Sequence, residues 1–242
     1  MAATARNRRY SPEEMIRLER LLWDTGYRHV AGVDEVGVGP LAGPLVAAAV
    51  VYPPGSEPLA VADSKVLSAA RRVELDGQIR AGAESIGIGR VEEARLDEIG
   101  VYQAGLEAMR LAVEQLLPMA DYLLVDARRI PGVEQGQSAY KKGDTFIYSV
   151  ASASIVAKVY RDALMLDAGK RFPGYGFERH MGYGTVEHMA ALGELGPCSI
   201  HRRSFEPVKK AFAGVATVAD SSPVKAGCQE TTDISGPNEE AL

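Results

Sequence analysis

Ser11, Pro12 and Glu14 form a helix-start signature: a capping serine, proline at the first helical position and glutamate three residues on. Met15, Leu18, Leu21 and Leu22 then line one face, so residues 11–24 are expected to form an amphipathic helix. Two apolar, β-branched stretches follow, HVAGVDEV and PLVAAAVVY, separated by the glycine-rich GVGPLAG, and they read as adjacent strands. The second is apolar on both faces, which suits a strand covered by helices above and below. Ser68 caps a charged helix running to about Arg80, and Ile86 and Ile88 alternate with glycines in a short strand over 85–91. Leu106, Met109, Val113 and Leu116 give a helix over 101–117, stopped by Pro118. YLLVDA, at 122–127, is a buried strand ending in an acid, and the Ala/Ser/Val-rich stretch 144–168 predicts a long helix. Two more helices are expected near 185–194 and 200–212.

Strands followed by helices, then a helical end, indicate an α/β fold with a mixed sheet. With 242 residues, 46% of them hydrophobic, one main domain with a sizeable core is expected. From Gly214 the chain is rich in Ser, Thr, Gly and Pro without apolar periodicity, so it cannot repay ordering entropy and reads as a disordered tail. The apolar run at 45–52 is far shorter than the ~20 residues a membrane helix needs. Arg6, Arg8 and Arg9 have no apolar segment behind them, so no secretory signal is read and a cytoplasmic location is expected. Cys198 and Cys228 have no zinc-type or disulfide-type spacing.

The net charge of −5 argues at first against a nucleic-acid partner. It is unevenly placed. From Gly214 onward five acids face one base, Lys225, so the tail carries −4 and the body −1. If four body carboxylates bind metal, what remains of the body stands at +3, compatible with a phosphate backbone.

Asp34 and Glu35 sit late in the first strand between Val33 and Val36, where isolated charge is expensive. Neighbouring strand residues face opposite ways, so both acids reach one site only if the strand ends or twists there, a freedom Gly37 and Gly39 supply. Taken alone, the pair is ordinary strand-end charge. Asp126 ends its own apolar strand in the same manner, and open α/β sheets place ligands beyond strand ends. Asp144, at the start of the long helix, is a fourth candidate or simply its N-cap. Clustered carboxylates repel unless a cation neutralises them, and all-oxygen donors select Mg²⁺ or Mn²⁺. Two such ions with substrate bound would activate water and stabilise the leaving oxygen in phosphodiester hydrolysis.

AGVDEVGVGPLAGPLVAAAV, DSK, LLVDA, KKGD, SVASASIVAKVYRDALM, FERHMGYGT and IHRRSFEPV occur in this order over about residues 30–208, roughly three quarters of the chain. Together they resemble bacterial ribonuclease HII. The resemblance implies a ribonuclease H-like mixed sheet flanked by helices, over residues 28–170. It also implies a helical substrate-binding part at 171–213, with an N-terminal arm and helix at 1–27 and the tail at 214–242. The activity it implies is endonucleolytic, metal-dependent cleavage of the RNA strand of RNA–DNA hybrids. Incision 5′ of ribonucleotides embedded in duplex DNA, leaving 3′-hydroxyl and 5′-phosphate ends, goes with it. The family's metal-binding acids map onto Asp34, Glu35 and Asp126 as direct ligands, with Asp144 as ligand or manager of water and product release. Asp162 competes for that fourth role.

Reading a ribonucleotide requires contacts to its 2′-hydroxyl. The family uses the backbone of a Gly-Arg-Gly turn and a Tyr that packs on the sugar. The Tyr is present as Tyr183, between Gly182 and Gly184, whereas the turn reads Gly37-Val38-Gly39. A second departure is Ala127, where many relatives have Gly. Lys65, in DSK, ranks first among candidate phosphate contacts, ahead of Lys158, Arg161 and His201 to Arg203. His180 and His188 lack ligand spacing and read as surface or core histidines. Two other readings compete: a hybrid-binding relative weakened or silenced by Val38, and a phosphohydrolase of small substrates, which would not need Tyr183. A monomer is the expected state.

Overall fold

β2 (Leu45–Val51) is buried along its whole length, as a strand without a polar face must be. It pairs antiparallel with β1 (Val30–Val36) and β3 (Ser85–Val91), while β4 (Tyr122–Asp126) runs parallel to β1 and β5 (Gly136–Tyr140) parallel to β4. The result is the expected mixed sheet, five strands in the order β3-β2-β1-β4-β5. The computed structural model describes residues 10–61 and 67–218, without the side chains of 214–218.

Strand alternation divides the core in two. Ala31, Val33, Ala47, Ala49 and Val51 pack with Ala108, Met109 and Val113 of α5 (Val101–Glu114). Val46, Ala48 and Val50 pack on the other face, with Ala151, Ile155 and Val156 of α6 (Tyr148–Arg171) and Leu75 and Ile79 of α3 (Ala69–Gly82). Each fully buried Val, Leu or Ile contributes roughly 1.5–3 kcal/mol. A Cβ at Gly32 would lie 2.1 Å from the carbonyl carbon of Ser149. Glycine there lets α6 sit directly on β1, which brings the helix to the strand that carries Asp34 and Glu35 near its end.

The N-terminal helix starts with the expected capping box but is divided at Ile16 into α1 (Pro12–Met15) and α2 (Arg17–Asp24). Three elements lie outside the sequence expectation: α4 (Glu93–Ile99), β5 and the short helix over Phe177–His180. The long helix begins at Tyr148, not 144. Residues Gly143–Thr145 form a single 3-10 turn, and Ile147 is the N-cap, so Asp144 does not cap α6. α7 (Phe177–His180), α8 (Val186–Leu195) and α9 (Glu206–Val218) form the helical end. α9 starts later than expected and runs to Val218, past the proposed tail start at Gly214; residues 219–242, Cys228 among them, lie outside the described residues. Among the described residues no helix is long and apolar enough to cross a membrane.

Candidate active site

The parallel register Val33↔Val125 sets Asp34 and Asp126, one residue further in each strand, side by side at neighbouring strand ends about 4.8 Å apart. From β5 the chain returns across the tip of β4. Lys142 adopts a left-handed conformation, Gly143 N–H donates to Asp126 Oδ1 at 2.7 Å, and Asp144 follows in the 3-10 turn, buried. Burial pushes the Asp34 carboxyl well above the usual range, and the charges of Asp126, Glu35 and Asp144 push it the same way, while Ser154 of α6 hydrogen-bonds it and opposes them. These four acids therefore share one electrostatic site.

Glu35 shows the alternation of the strand. Its side chain meets Arg128, whose Nη2 donates to Oε1 at 2.8 Å and whose guanidinium lies over the Tyr102 ring. Oε2 is buried without a hydrogen-bond partner among the described residues. Burial raises the Glu35 pKa, Arg128 lowers it, and Asp126 raises it further. As packed, no group of three or more His, Cys, Asp or Glu side chains among the described residues is arranged to hold a metal ion. The donor set nevertheless fits a hard divalent cation: all oxygen, buried, mutually repelling, and with one carboxylate oxygen unpartnered.

Beyond Glu35 the chain turns through Gly37, at φ +92°, where a Cβ would meet Arg161 Nε at 2.5 Å. Val38 is half exposed. The Tyr183 segment is docked onto this turn: Leu41 N–H donates to Gly182 O at 2.8 Å, and a Cβ at Gly39 would lie 3.8 Å from Tyr183 Cε1. Tyr183 itself is 41% exposed.

A family model for ribonuclease HII matches residues 31–208. The chain belongs to the ribonuclease HII family. It is 50% identical over 196 residues to ribonuclease HII of Geotalea uraniireducens (strain Rf4), covering 81% of this chain and 91% of that protein. With ribonuclease HII of Myxococcus xanthus (strain DK1622) it shares 45% identity over 214 residues, 88% of this chain and 73% of that one. The crystal structure of ribonuclease H2 from Pyrococcus horikoshii OT3 superposes with a TM-score of 0.66 at 25% identity, covering 78% of this chain and 99% of the other. The ribonuclease H-like fold is as expected, and membership of the ribonuclease HII family makes the protein a ribonuclease H, a hydrolase of RNA–DNA hybrids.

Several phosphate-contact expectations change. Arg161 and Arg202 are fully buried and His201 nearly so, because all three serve the docking of the C-terminal part rather than a surface. Lys158 is tied to Asp162 at 2.6 Å, and Asp162 also faces Arg72 at 3.6 Å, so Asp162 belongs to a separate charge group. Arg203 remains exposed, over the Phe212 ring. Lys65 lies outside the described residues. His180 and His188 are core residues, their rings stacked at 4.5 Å. Ala127 has φ +59°, a left-handed conformation that costs a non-glycine residue about 1 kcal/mol. Arg128 carried no sequence signal beyond its place two residues after Asp126, and exposed Lys141 and Lys142 stand three and two residues before Asp144.

Proposed function

We propose that this ribonuclease H is a divalent-metal-dependent endonuclease that cuts the RNA strand of hybrids and incises 5′ of ribonucleotides embedded in duplex DNA. The products carry 5′-phosphate and 3′-hydroxyl ends. The observation that carries the reading is the convergence of Asp34, Glu35, Asp126 and Asp144 beside the turn on which Tyr183 is docked. Asp34, Glu35 and Asp126 would hold Mn²⁺ or Mg²⁺, with Asp144 as a further ligand or as the group that manages water and product. Bound there, the ions would activate a water and stabilise the leaving oxygen. Ser154 holds the Asp34 carboxylate and the Gly143 amide holds Asp126 Oδ1, so each acid is oriented before any ion arrives. The Gly37-Val38-Gly39 backbone would read the 2′-hydroxyl and Tyr183 would pack on the sugar. Arg128, Lys141 and Lys142 flank the acids and would meet phosphates.

The test is incubation of a DNA duplex containing one ribonucleotide with Mn²⁺ or Mg²⁺, wild type against Asp34→Asn. Cleavage 5′ of the ribonucleotide, lost in the variant and on chelation, supports the reading. Binding without cleavage by wild type would overturn it in favour of a binding-only relative, a reading that the mutually repelling cluster of four acids disfavours, since a pure binder gains nothing from negative charge beside phosphates.

A further inference from the structure

Arg202 is a fully buried cation whose hydrogen bonds all go to main-chain carbonyls. Nη2 donates to Gly37 O at 2.6 Å and Gly43 O at 2.7 Å, Nη1 to Val38 O at 3.2 Å, and Nε to Gly43 O at 2.9 Å. A buried charge without a carboxylate partner is costly unless its whole fork is saturated, and here one rigid fork spans both sides of the loop 37–43. The Phe205 ring lies under the guanidinium at 5.3 Å. Arg161 secures the far side of the same loop, donating to Pro44 O at 3.0 Å, Ala42 O at 3.1 Å and Met181 O at 3.0 Å, and so links it to the Tyr183 segment.

The consequence follows from peptide geometry. In a trans peptide the C=O and N–H point in opposite directions. Drawing Gly37 O and Val38 O inward to Arg202 therefore turns the N–H groups of Val38 and Gly39 outward, on the side where Val38 is exposed and Tyr183 stands beside Gly39. Among the described residues neither N–H has a hydrogen-bond partner. The guanidinium also polarises both peptide units, which strengthens those N–H groups as donors.

We propose that Arg202 is a positioning residue for substrate selection: it aims the Val38 and Gly39 amides at the ribonucleotide from beneath the turn and never touches the substrate. This rests on the function proposed above. It explains how backbone reading persists when the turn itself carries valine in place of arginine.

The test compares wild type, Arg202→Lys and Phe205→Leu on a duplex containing one ribonucleotide, with a thermal melt of each protein. Lysine keeps the charge but cannot span three carbonyls. Arg202→Lys is expected to raise KM about tenfold with kcat within about threefold, since the acids are untouched. Phe205→Leu, which loosens the arginine without removing it, should give the same KM-selective defect at smaller size. A merely structural role would lower the active fraction and appear in kcat. Wild-type KM in a folded Arg202→Lys, or a loss confined to kcat, overturns the proposal; if that variant does not fold, Phe205→Leu decides by the same criterion. Failure of wild type to cut the duplex would instead overturn the proposed function.

Discussion

Arg128 holds Glu35 across the mouth of the acid cluster, guanidinium to carboxylate at 2.8 Å, with Tyr102 beneath the guanidinium. The pair is only partly screened, because the Glu35 side chain is 7% exposed and that of Arg128 27%. A cation bound by Glu35 must compete with this arginine and is also repelled by it. Both effects have the same sign, so Arg128→Ala should tighten Mn²⁺ binding by about fivefold, near 1 kcal/mol, as expected for one partly screened charge. Titration calorimetry checks this. Unchanged or weaker binding would remove Glu35 from the ligand set.

Asp34→Asn should separate stability from activity. In the metal-free protein the ionised Asp34 is opposed by burial and by Asp126, Glu35 and Asp144, so the neutral isostere relieves the folded state. Stability at pH 8 without metal is expected to rise by about 1–2 kcal/mol, or roughly 2–4 °C per kcal/mol in Tm. With metal present, kcat should fall by at least about a thousandfold, the order of several kcal/mol of transition-state stabilisation. A lowered Tm in the metal-free variant would make Asp34 a structural acid instead.

The apolar runs made β1 and β2 legible in the sequence, and the acids ending β1 and β4 pointed to a site because charge after a buried run needs a reason. The register that sets Asp34 beside Asp126 was not legible, since it depends on which strands pair. β5 escaped because GQSAY is a polar edge strand with no alternating apolar face, and α4 because Leu96 is its only buried residue. Arg161 and Arg202 read as surface cations because a periodic pattern records residue type and not the carbonyls that fold over it; the nearby glycines of the 37–43 loop are the one hint of close packing. Asp144 stayed open between site acid and helix cap because the 3-10 turn before α6 leaves no signature in residue spacing.

A buried histidine chain makes the Tyr183 anchor sensitive to acid. Cys198 N–H donates to His201 Nδ1 at 3.0 Å, which places the His201 proton on Nε2, directed to His188 Nε2 at 3.1 Å; His188 Nδ1 then donates to Tyr183 O at 2.9 Å. Burial, with the neighbouring His188, lowers the His201 pKa from 6.5 to about 4. The folded protein therefore resists a proton that the unfolded chain accepts near pH 6.5. Stability from this group is complete above that pH and lost as pH falls toward 4. His201→Gln keeps a donor toward His188 but cannot titrate. Between pH 7 and pH 5, wild type should lose roughly 2 kcal/mol more than this variant in urea melts. Parallel losses in the two proteins would show that His201 does not titrate in this window.

Val38 is 40% exposed, and its carbonyl is held from below by Arg202. An arginine placed there therefore points into solvent beside Tyr183 without displacing the turn. It adds one cation where a phosphate of the substrate would pass, and a hydrogen bond to a charged group contributes about 1.5–3 kcal/mol. Val38→Arg should lower KM for a duplex containing one ribonucleotide by about tenfold or more, with kcat and Tm near wild type. The effect should shrink as salt rises, because phosphate contacts release counterions. Steady-state kinetics at two salt concentrations test both parts, and an unchanged KM at low salt would show that position 38 does not reach the backbone of the substrate.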